Sequence, residues 1–466
     1  MALLILRREA KASLEGRNCE TAPPQSSKTG GIAISGDRRF MHYDIVIVGG
    51  GAGGLELAAQ LGRKLGRRQG KERILLIDRS GFHIWKPTLH EVAAGTLDVH
   101  QEGLSYPILG RANHFSFHLG ELSALDPAAK RLTLKAITTK DGAVLVPERS
   151  ITFTWGVIAI GSGSNLFGTP GAETAHLLER TEDAEAFHTR LLAAFMKASF
   201  APERTMGVAI VGGGATGVEL SAELLEAHRA LLQSLGAEQR FRLDITIVEA
   251  APRILGGLPE KTSAQATVAL ERKGVHVRTA AKVIAVHPDR LETSVGDIPA
   301  DLIVWAAGVK AADSNVELGL ETNRLNQFVV NDRLETSAPG VWAMGDCAAC
   351  PWKDGKFVPA RAQAAHQQAS YLAKALLARL RQARLEEPYV YKDFGSLVSL
   401  GENKGVGALM GGLGGPNFFI EGLVAKWFYV SLHLAHHKAI LGVSKTATLA
   451  LARLLQQRVA GRLKLH

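Results

Sequence analysis

Cysteine is scarce in this chain: among 466 residues there are three, Cys19, Cys347 and Cys350. Three cysteines cannot build a disulfide scaffold or by themselves hold an all-cysteine iron–sulfur cluster, and the usage fits a reducing compartment. Long apolar runs are also missing. No uncharged apolar stretch reaches the roughly 18 residues that a bilayer crossing needs, so no spanning helix is expected. The opening MALLILRREAK puts a short apolar run before its charges, the wrong order for a secretory signal. Aromatic residues make up 6%, charged residues 21% and apolar residues 46%, the balance of a globular protein rather than a disordered one. Glycine, by contrast, is abundant. Several of its 49 residues cluster just after apolar runs, which favours phosphate-binding turns over a helical bundle. The net charge of +9 is informative only through where the charge lies.

The length suggests two or three domains. Residues 1–40 read as a tail, with Pro23-Pro24, Ser26-Ser27 and Gly30-Gly31 and no sustained periodicity. Met41 stands directly before a strong strand. The favoured reading makes it the true start; a targeting arm is the alternative. From there, short Val/Ile-rich runs at 44–48, 74–78, 155–160, 208–211, 244–248, 301–306 and 340–344 read as strands buried on both faces. Helical patterns lie between them at 53–66, 182–198, 215–235, 260–273 and 361–384. The alternation predicts a doubly wound α/β fold. A strand–glycine turn–helix opening occurs twice, which predicts two Rossmann-like dinucleotide-binding domains. The expected layout is a first domain of residues 41–170 and 331–404 with a second, 171–330, inserted into it, followed by a C-terminal region, 405–466.

The first opening is Gly49-x-Gly51-x-x-Gly54, with Gly53 beside it and Asp78 ending the second strand. The first glycine permits the tight turn, the second lets the backbone approach a pyrophosphate, and the third lets helix and strand pack closely. The helix N-terminus supplies amide donors to phosphate, and Asp78 can accept both ribose hydroxyls. The second opening is Gly212-x-Gly214-x-x-Gly217, with its acid at Glu249, later than usual, which implies a longer helix or a loop near 234–242. A carboxylate there favours NAD over NADP, and the nearby Arg253 would soften that preference. Two nucleotide sites in one chain point to an electron relay, with a tightly held flavin in one and a visiting nicotinamide in the other. Ala159-Ile-Gly161-Ser and Trp305-Ala-Ala307-Gly308 end strands with small residues that allow a chain crossover close to a bound nucleotide. Asp346, after Gly345, reads either as a partner for a flavin ribityl hydroxyl or as a turn or helix cap.

The segments Asp44–Ala58, Trp85-Lys-Pro-Thr-Leu-His-Glu-Val-Ala-Ala-Gly95, Val211–Glu223, Gly345-Asp-Cys347 and Arg361-Ala-Gln-Ala-Ala-His366 together resemble the type II NADH:quinone oxidoreductases, single-subunit respiratory enzymes that do not pump protons. The likeness is strongest to the proteobacterial kind and runs from about residue 41 to the end of the chain. It implies non-covalent FAD in the first site, NADH in the second and a membrane quinone, ubiquinone or menaquinone, as acceptor. Carried over by position, Asp78, Lys86, Gly161, Asp346, Gln363 and Ala364 would contact FAD. Glu219 matches a family glutamate near the flavin–nicotinamide junction that could relay protons; the plain alternative is an acid favouring the helix dipole. Gln363 and Gln367 match the quinone-tunnel signature; the alternative leaves them facing solvent. His366 admits a role as proton donor, against that of a satisfied surface histidine. No metal is required. A related sulfide:quinone oxidoreductase would need a cysteine near 155–165, where there is none, and a non-catalytic nucleotide sensor is the other alternative.

The basic charge gathers at the C-terminus. Lys426, Lys438, Lys445, Arg453, Arg458, Arg462 and Lys464 stand against Glu421 alone, interleaved with Phe418, Phe419, Trp427, Phe428, Tyr429, Leu432, Leu441, Leu449, Leu454 and Leu455. That pattern suits helices lying in the plane of an anionic bilayer, a peripheral attachment at the cytoplasmic face of the bacterial inner membrane. A homodimer interface and a helix that covers a domain are the competing uses. No nucleic-acid motif accompanies the charge. Cys347-Ala-Ala-Cys350 is read as a structural pair rather than a redox or copper site.

Overall fold

The computed structural model describes residues 41–201, 205–236, 240–401, 405–409 and 418–459. The predicted tail, 1–40, and part of the predicted loop at 234–242 lie outside them.

The apolar runs form the parallel centres of two sheets. In the first, Met41–Val48 lies between Ile74–Asp78 and Arg149–Ile158, with Ser116–Leu119 outside the former and Val341–Ala343 beside the latter. Ile45, Val46, Ile47 and all of Ile74–Ile77 are fully buried, as expected of strands covered on both faces. The second sheet runs Val275–Arg278, Arg242–Val248, Thr205–Val211, Leu302–Trp305, and is parallel throughout. The strand Val341–Ala343 thus returns to the first sheet after the chain has built the second. The fold is α/β with two dinucleotide-binding motifs.

Several boundaries differ from the sequence reading. Strand Arg149–Ile158 begins earlier than 155 because its first half pairs antiparallel with Arg131–Leu134, itself paired with Leu122–Asp126. The first helix runs Ala52–Arg73, past the predicted end at 66, where Gly66 breaks it with φ +77°. Strands Ser116–Leu119 and Val275–Arg278 were not predicted. Each has four residues, too few to display a period, and each owes its conformation to the neighbouring strand.

The C-terminal part opens with a three-stranded antiparallel sheet, Ser396–Ser399, Gly405–Leu409 and Phe418–Glu421, followed by helices Gly422–Leu441 and Val443–Val459. Among the described residues no helix is long and apolar enough to cross a membrane. Leu432, Val443, Leu451 and Leu455 are exposed. The side chains of Phe418, Phe419, Lys426, Trp427, Phe428, Tyr429, Leu454 and Arg458, and residues Arg462 and Lys464, lie outside the described residues. Arg453 corrects the expectation of an outward basic face. Its guanidinium turns inward to an ion pair with Glu102, and each side chain is 19% exposed.

Candidate functional site

The two glycine turns share one geometry. Gly49 has φ +103° and donates its amide to Ile77 O at 2.8 Å; Gly212 has φ +109° and donates to Val248 O at 2.8 Å. A side chain on Gly54 would put its Cβ 1.9 Å from Gly49 O, and one on Gly217 would be 2.1 Å from Gly212 O, so helix and strand touch only because both positions are glycine. At Gly51 and Gly214, the residues from which the helices Ala52–Arg73 and Ala215–Ser234 start, no atom lies within 4 Å of where a Cβ would stand. These open positions lie at two helix N-termini with unpaired amides, which suits the pyrophosphate of a dinucleotide at each turn.

The acids complete the likeness. Asp78 accepts the Gly50 amide at 2.6 Å and the Ser80 amide at 2.8 Å; Glu249 accepts the Gly213 and Ala251 amides, both at 2.7 Å. Each carboxylate is therefore oriented by its own turn, with further lone pairs available to a ribose. Burial raises the Asp78 carboxyl above its usual range. Arg253 does not approach this ribose position as a free cation: its guanidinium donates to Leu258 O at 2.9 Å and Gly256 O at 2.8 Å and so closes its own loop. The two small-residue motifs extend their parallel ladders, with Ala159 N on Val48 O at 2.7 Å and Ala306 N on Val211 O at 2.8 Å, and left-handed Gly161 and Gly308 follow. Ala307 N would lie 2.8 Å from a Cβ on Gly212.

A second group gathers beside the first turn. Lys86 Nζ donates to Ser162 O at 2.6 Å, and Ser162 Oγ donates to Asp346 Oδ2 at 3.1 Å. Gly345, just before Asp346, donates its amide to Gln368 Oε1 at 2.6 Å. Gly53 packs against Met344 and against Ala365, which follows the buried Ala364 in the first turn of helix Ala362–Leu380. Ser162 was read only as one of the small residues of the motif 159–162, and Gln368, next to Gln367, was given no role in the sequence.

Glu219, Gln363 and Gln367 come from distant places but meet one extended segment, 392–399. Gln367 donates to Lys392 O at 2.8 Å and accepts the Lys392 amide at 3.0 Å. Gln363 donates to Gly395 O at 2.8 Å and accepts the Phe394 amide at 3.2 Å. Glu219 accepts the Ser399 amide at 3.0 Å. The glutamine amides are thus engaged rather than solvent-facing. Nor does Glu219 serve the helix dipole: it lies beyond the first turn of Ala215–Ser234 and is buried.

Burial pushes the Glu219 carboxyl up to about 8, so it is largely protonated at neutral pH. His90 Nδ1 stands 3.7 Å from it, and burial holds that imidazole down at about 4, neutral. Glu91 is raised to about 8, first by burial and then by Glu223 and Glu219. His90 and Glu91 lie within the Trp85–Gly95 motif, which was their only signal in the sequence. Cys347 and Cys350 are buried, and desolvation raises their thiols to about 11 and about 12. Thiols so raised are poor nucleophiles, which fits the structural reading.

The family profile described as "Pyridine nucleotide-disulphide oxidoreductase" matches residues 43–369. A type II NADH:quinone oxidoreductase of Haemophilus influenzae is 40% identical over 444 residues, 91% of this chain and all of that protein. The Mycobacterium tuberculosis type II NADH:quinone oxidoreductase is 28% identical over 84% of each chain. Among solved structures, NDH2 of Plasmodium falciparum in complex with NADH superposes with a TM-score of 0.75 at 17% identity, over 91% of this chain and 99% of that one.

Proposed function

The chain belongs to the type II NADH:quinone oxidoreductases, and from that premise we propose how its residues divide the work of oxidising NADH and reducing a quinone with FAD. The first turn, with Gly49, Gly51, Gly53, Gly54 and Asp78, holds the FAD dinucleotide, and Lys86, Gly161, Asp346, Gln363 and Ala364 line the flavin end. The open position at Gly51 suits that occupant, since a Cβ there would stand where the pyrophosphate approaches. The second turn, with Gly212, Gly214, Gly217, Glu249, Ala307 and Gly308, receives NADH. Glu249 accepts the 2′-hydroxyl and repels a 2′-phosphate.

FAD, when bound, supplies the two-electron acceptor between NADH and the quinone. The protein orients both nucleotides and manages protons. Reducing a quinone to its quinol consumes two electrons and two protons. Glu219, a buried carboxylic acid held neutral near pH 7, stands ready to give one of them. The observation that carries this assignment is the shared segment 392–399, which joins Glu219 to Gln363 and Gln367. Gln363 and Gln367 hold that segment as one wall of the quinone site.

The enzyme works at a membrane surface, on the cytoplasmic face where NADH is supplied. Leu432, Val443, Leu451 and Leu455 face outward with Lys438 and Lys445 exposed among them, an arrangement suited to resting on anionic lipid.

The test is the decay of nicotinamide absorbance. FAD-loaded protein is mixed with NADH, with and without a soluble quinone, and again with NADPH. Fast, quinone-dependent loss of NADH and slow loss of NADPH are expected. Flavin that bleaches with NADH yet is not reoxidised by quinone would overturn the acceptor assignment.

A further inference from the structure

The C-terminal helix Gly422–Leu441 touches the first turn through a chain of ionisable side chains. His83, 3% exposed, places Nδ1 at 3.1 Å from Gly50 O. Its Nε2 is 2.8 Å from His436 Nε2 on the C-terminal helix. His436 Nδ1 is 2.7 Å from Glu56 Oε1, and the other Glu56 oxygen takes a hydrogen bond from Nδ1 of the half-exposed His366. Glu56 itself is 1% exposed.

Counting protons along this chain leads to a definite result. A carbonyl oxygen can only accept, so His83 Nδ1 carries a hydrogen. A neutral His83 then has a bare lone pair at Nε2. A carboxylate also only accepts, so His436 Nδ1 carries a hydrogen too. If His436 were neutral, two lone pairs would face each other at 2.8 Å. The contact is a hydrogen bond only when one further proton sits between the rings, making an imidazolium–imidazole pair balanced by Glu56. Moving a proton from His436 Nδ1 onto Glu56 leaves the count unchanged.

The pair acts on a place that matters. The Gly50 peptide belongs to the first glycine turn; its amide donates to Asp78 and its carbonyl accepts from both His83 and the Tyr106 hydroxyl, the latter at 2.7 Å. The helix is seated at a second point, where the Arg63 guanidinium donates to Ala439 O at 2.6 Å and Ile440 O at 3.3 Å. Trp85, adjacent to Lys86, stacks on His433 with ring centroids 4.9 Å apart.

We propose that His436 is a positioning residue for the first dinucleotide turn: one proton held between His436 and His83 ties the C-terminal helix to the Gly50 peptide and steadies the turn's hold on its dinucleotide. The proposal rests on the reading that FAD occupies this turn. Burial pushes the His83 imidazole well below its usual range, which makes it the neutral member of the pair. His433 and His437, on the same helix, are held neutral by burial, His433 down at about 3. The Glu102–Arg453 ion pair is self-compensated. Tyr106 is pushed well above the usual phenol range by burial. Arg63 and His366 both bear on Glu56. Burial raises the Glu56 carboxyl, but the hydrogen bonds from His366 and His436 outweigh this and hold it below the usual carboxylate range.

The experiment follows FAD release from the full-length holoenzyme by the rise in flavin fluorescence. His436→Ala should release FAD about tenfold faster than the wild type, as expected for loss of one charge-assisted hydrogen bond. His436→Gln, which can still donate to His83, should release it more slowly than His436→Ala. A His436→Ala variant that releases FAD at the wild-type rate overturns the proposal. A readout that needs no variant is a low-field imidazolium proton resonance in selectively labelled wild type; its absence overturns the proposal as well. Gly51→Ala separates the two layers of the argument. If it keeps its FAD, the assignment of FAD to this turn fails; if it loses FAD while His436→Ala keeps the wild-type release rate, the proton clamp alone fails.

Discussion

Glu219 Oε1 accepts the backbone amide of Ser399 at 3.0 Å, a bond between residues 180 positions apart in the chain. It ties the helix of the second glycine turn to the segment 392–399 that Gln363 and Gln367 also hold.

Glu219→Gln keeps an acceptor for the Ser399 amide and removes the titration. A folded-state value near 8 lies above the ordinary 4.5, so the wild type loses stability as pH rises between those values, because the unfolded chain ionises there first. The variant should therefore be more stable at pH 7 by about 1–3 kcal/mol, seen as a higher Tm. Its quinone-dependent turnover should fall, and the alkaline decline near pH 8 expected of the wild type should be absent from its profile.

The glycines divide into two classes by what a methyl group would meet. Gly54→Ala puts Cβ 1.9 Å from Gly49 O and should cost about 3 kcal/mol or more, since backbone has to move. Gly51→Ala meets no atom of the protein within 4 Å and should fold with the Tm of the FAD-free wild type while losing FAD. Thermal denaturation and flavin absorbance measure the two effects separately.

Glu249→Ser removes the acceptor that stands by the Gly213 and Ala251 amides. The kcat/KM for NADH should drop about 10- to 100-fold, the scale of one hydrogen bond to a charged group, while that for NADPH should rise or hold. Steady-state kinetics with both nucleotides decide it; an equal loss for both would mean the carboxylate only shapes the turn.

Gln367→Ala frees Lys392 from both of its side-chain hydrogen bonds. The KM for a soluble quinone should rise about 3- to 10-fold, as one or two modest hydrogen bonds are lost, with the rate of flavin bleaching by NADH retained. Stopped-flow measurement of the two half-reactions separates the effects.

Arg453→Gln breaks the partly buried pair with Glu102 and should lower stability by about 1–3 kcal/mol. Binding to anionic vesicles should be unchanged, since this cation faces inward. A Lys438→Glu/Lys445→Glu double variant should show the reverse pattern, with vesicle binding weakened and Tm retained. Vesicle co-sedimentation and thermal denaturation are the measurements.

The local, repeated features of this protein were legible in its sequence. The apolar runs 44–48 and 244–248, the glycine spacings at Gly49 and Gly212 and the terminal acids Asp78 and Glu249 identify both nucleotide turns, because strand, turn and helix there depend on neighbours within about 40 residues. So did the family. What tertiary structure alone decided depends on contacts across the chain. The four-residue strands Ser116–Leu119 and Val275–Arg278 take their conformation from a partner strand. The neutral carboxyl of Glu219 arises from burial that no local pattern reports. The inward turn of Arg453 toward Glu102 and the meeting of His83 with His436 span 351 and 353 residues. Composition records the charges and rings; which of them face solvent, and which share a proton, is settled only when distant elements pack and water is excluded between them.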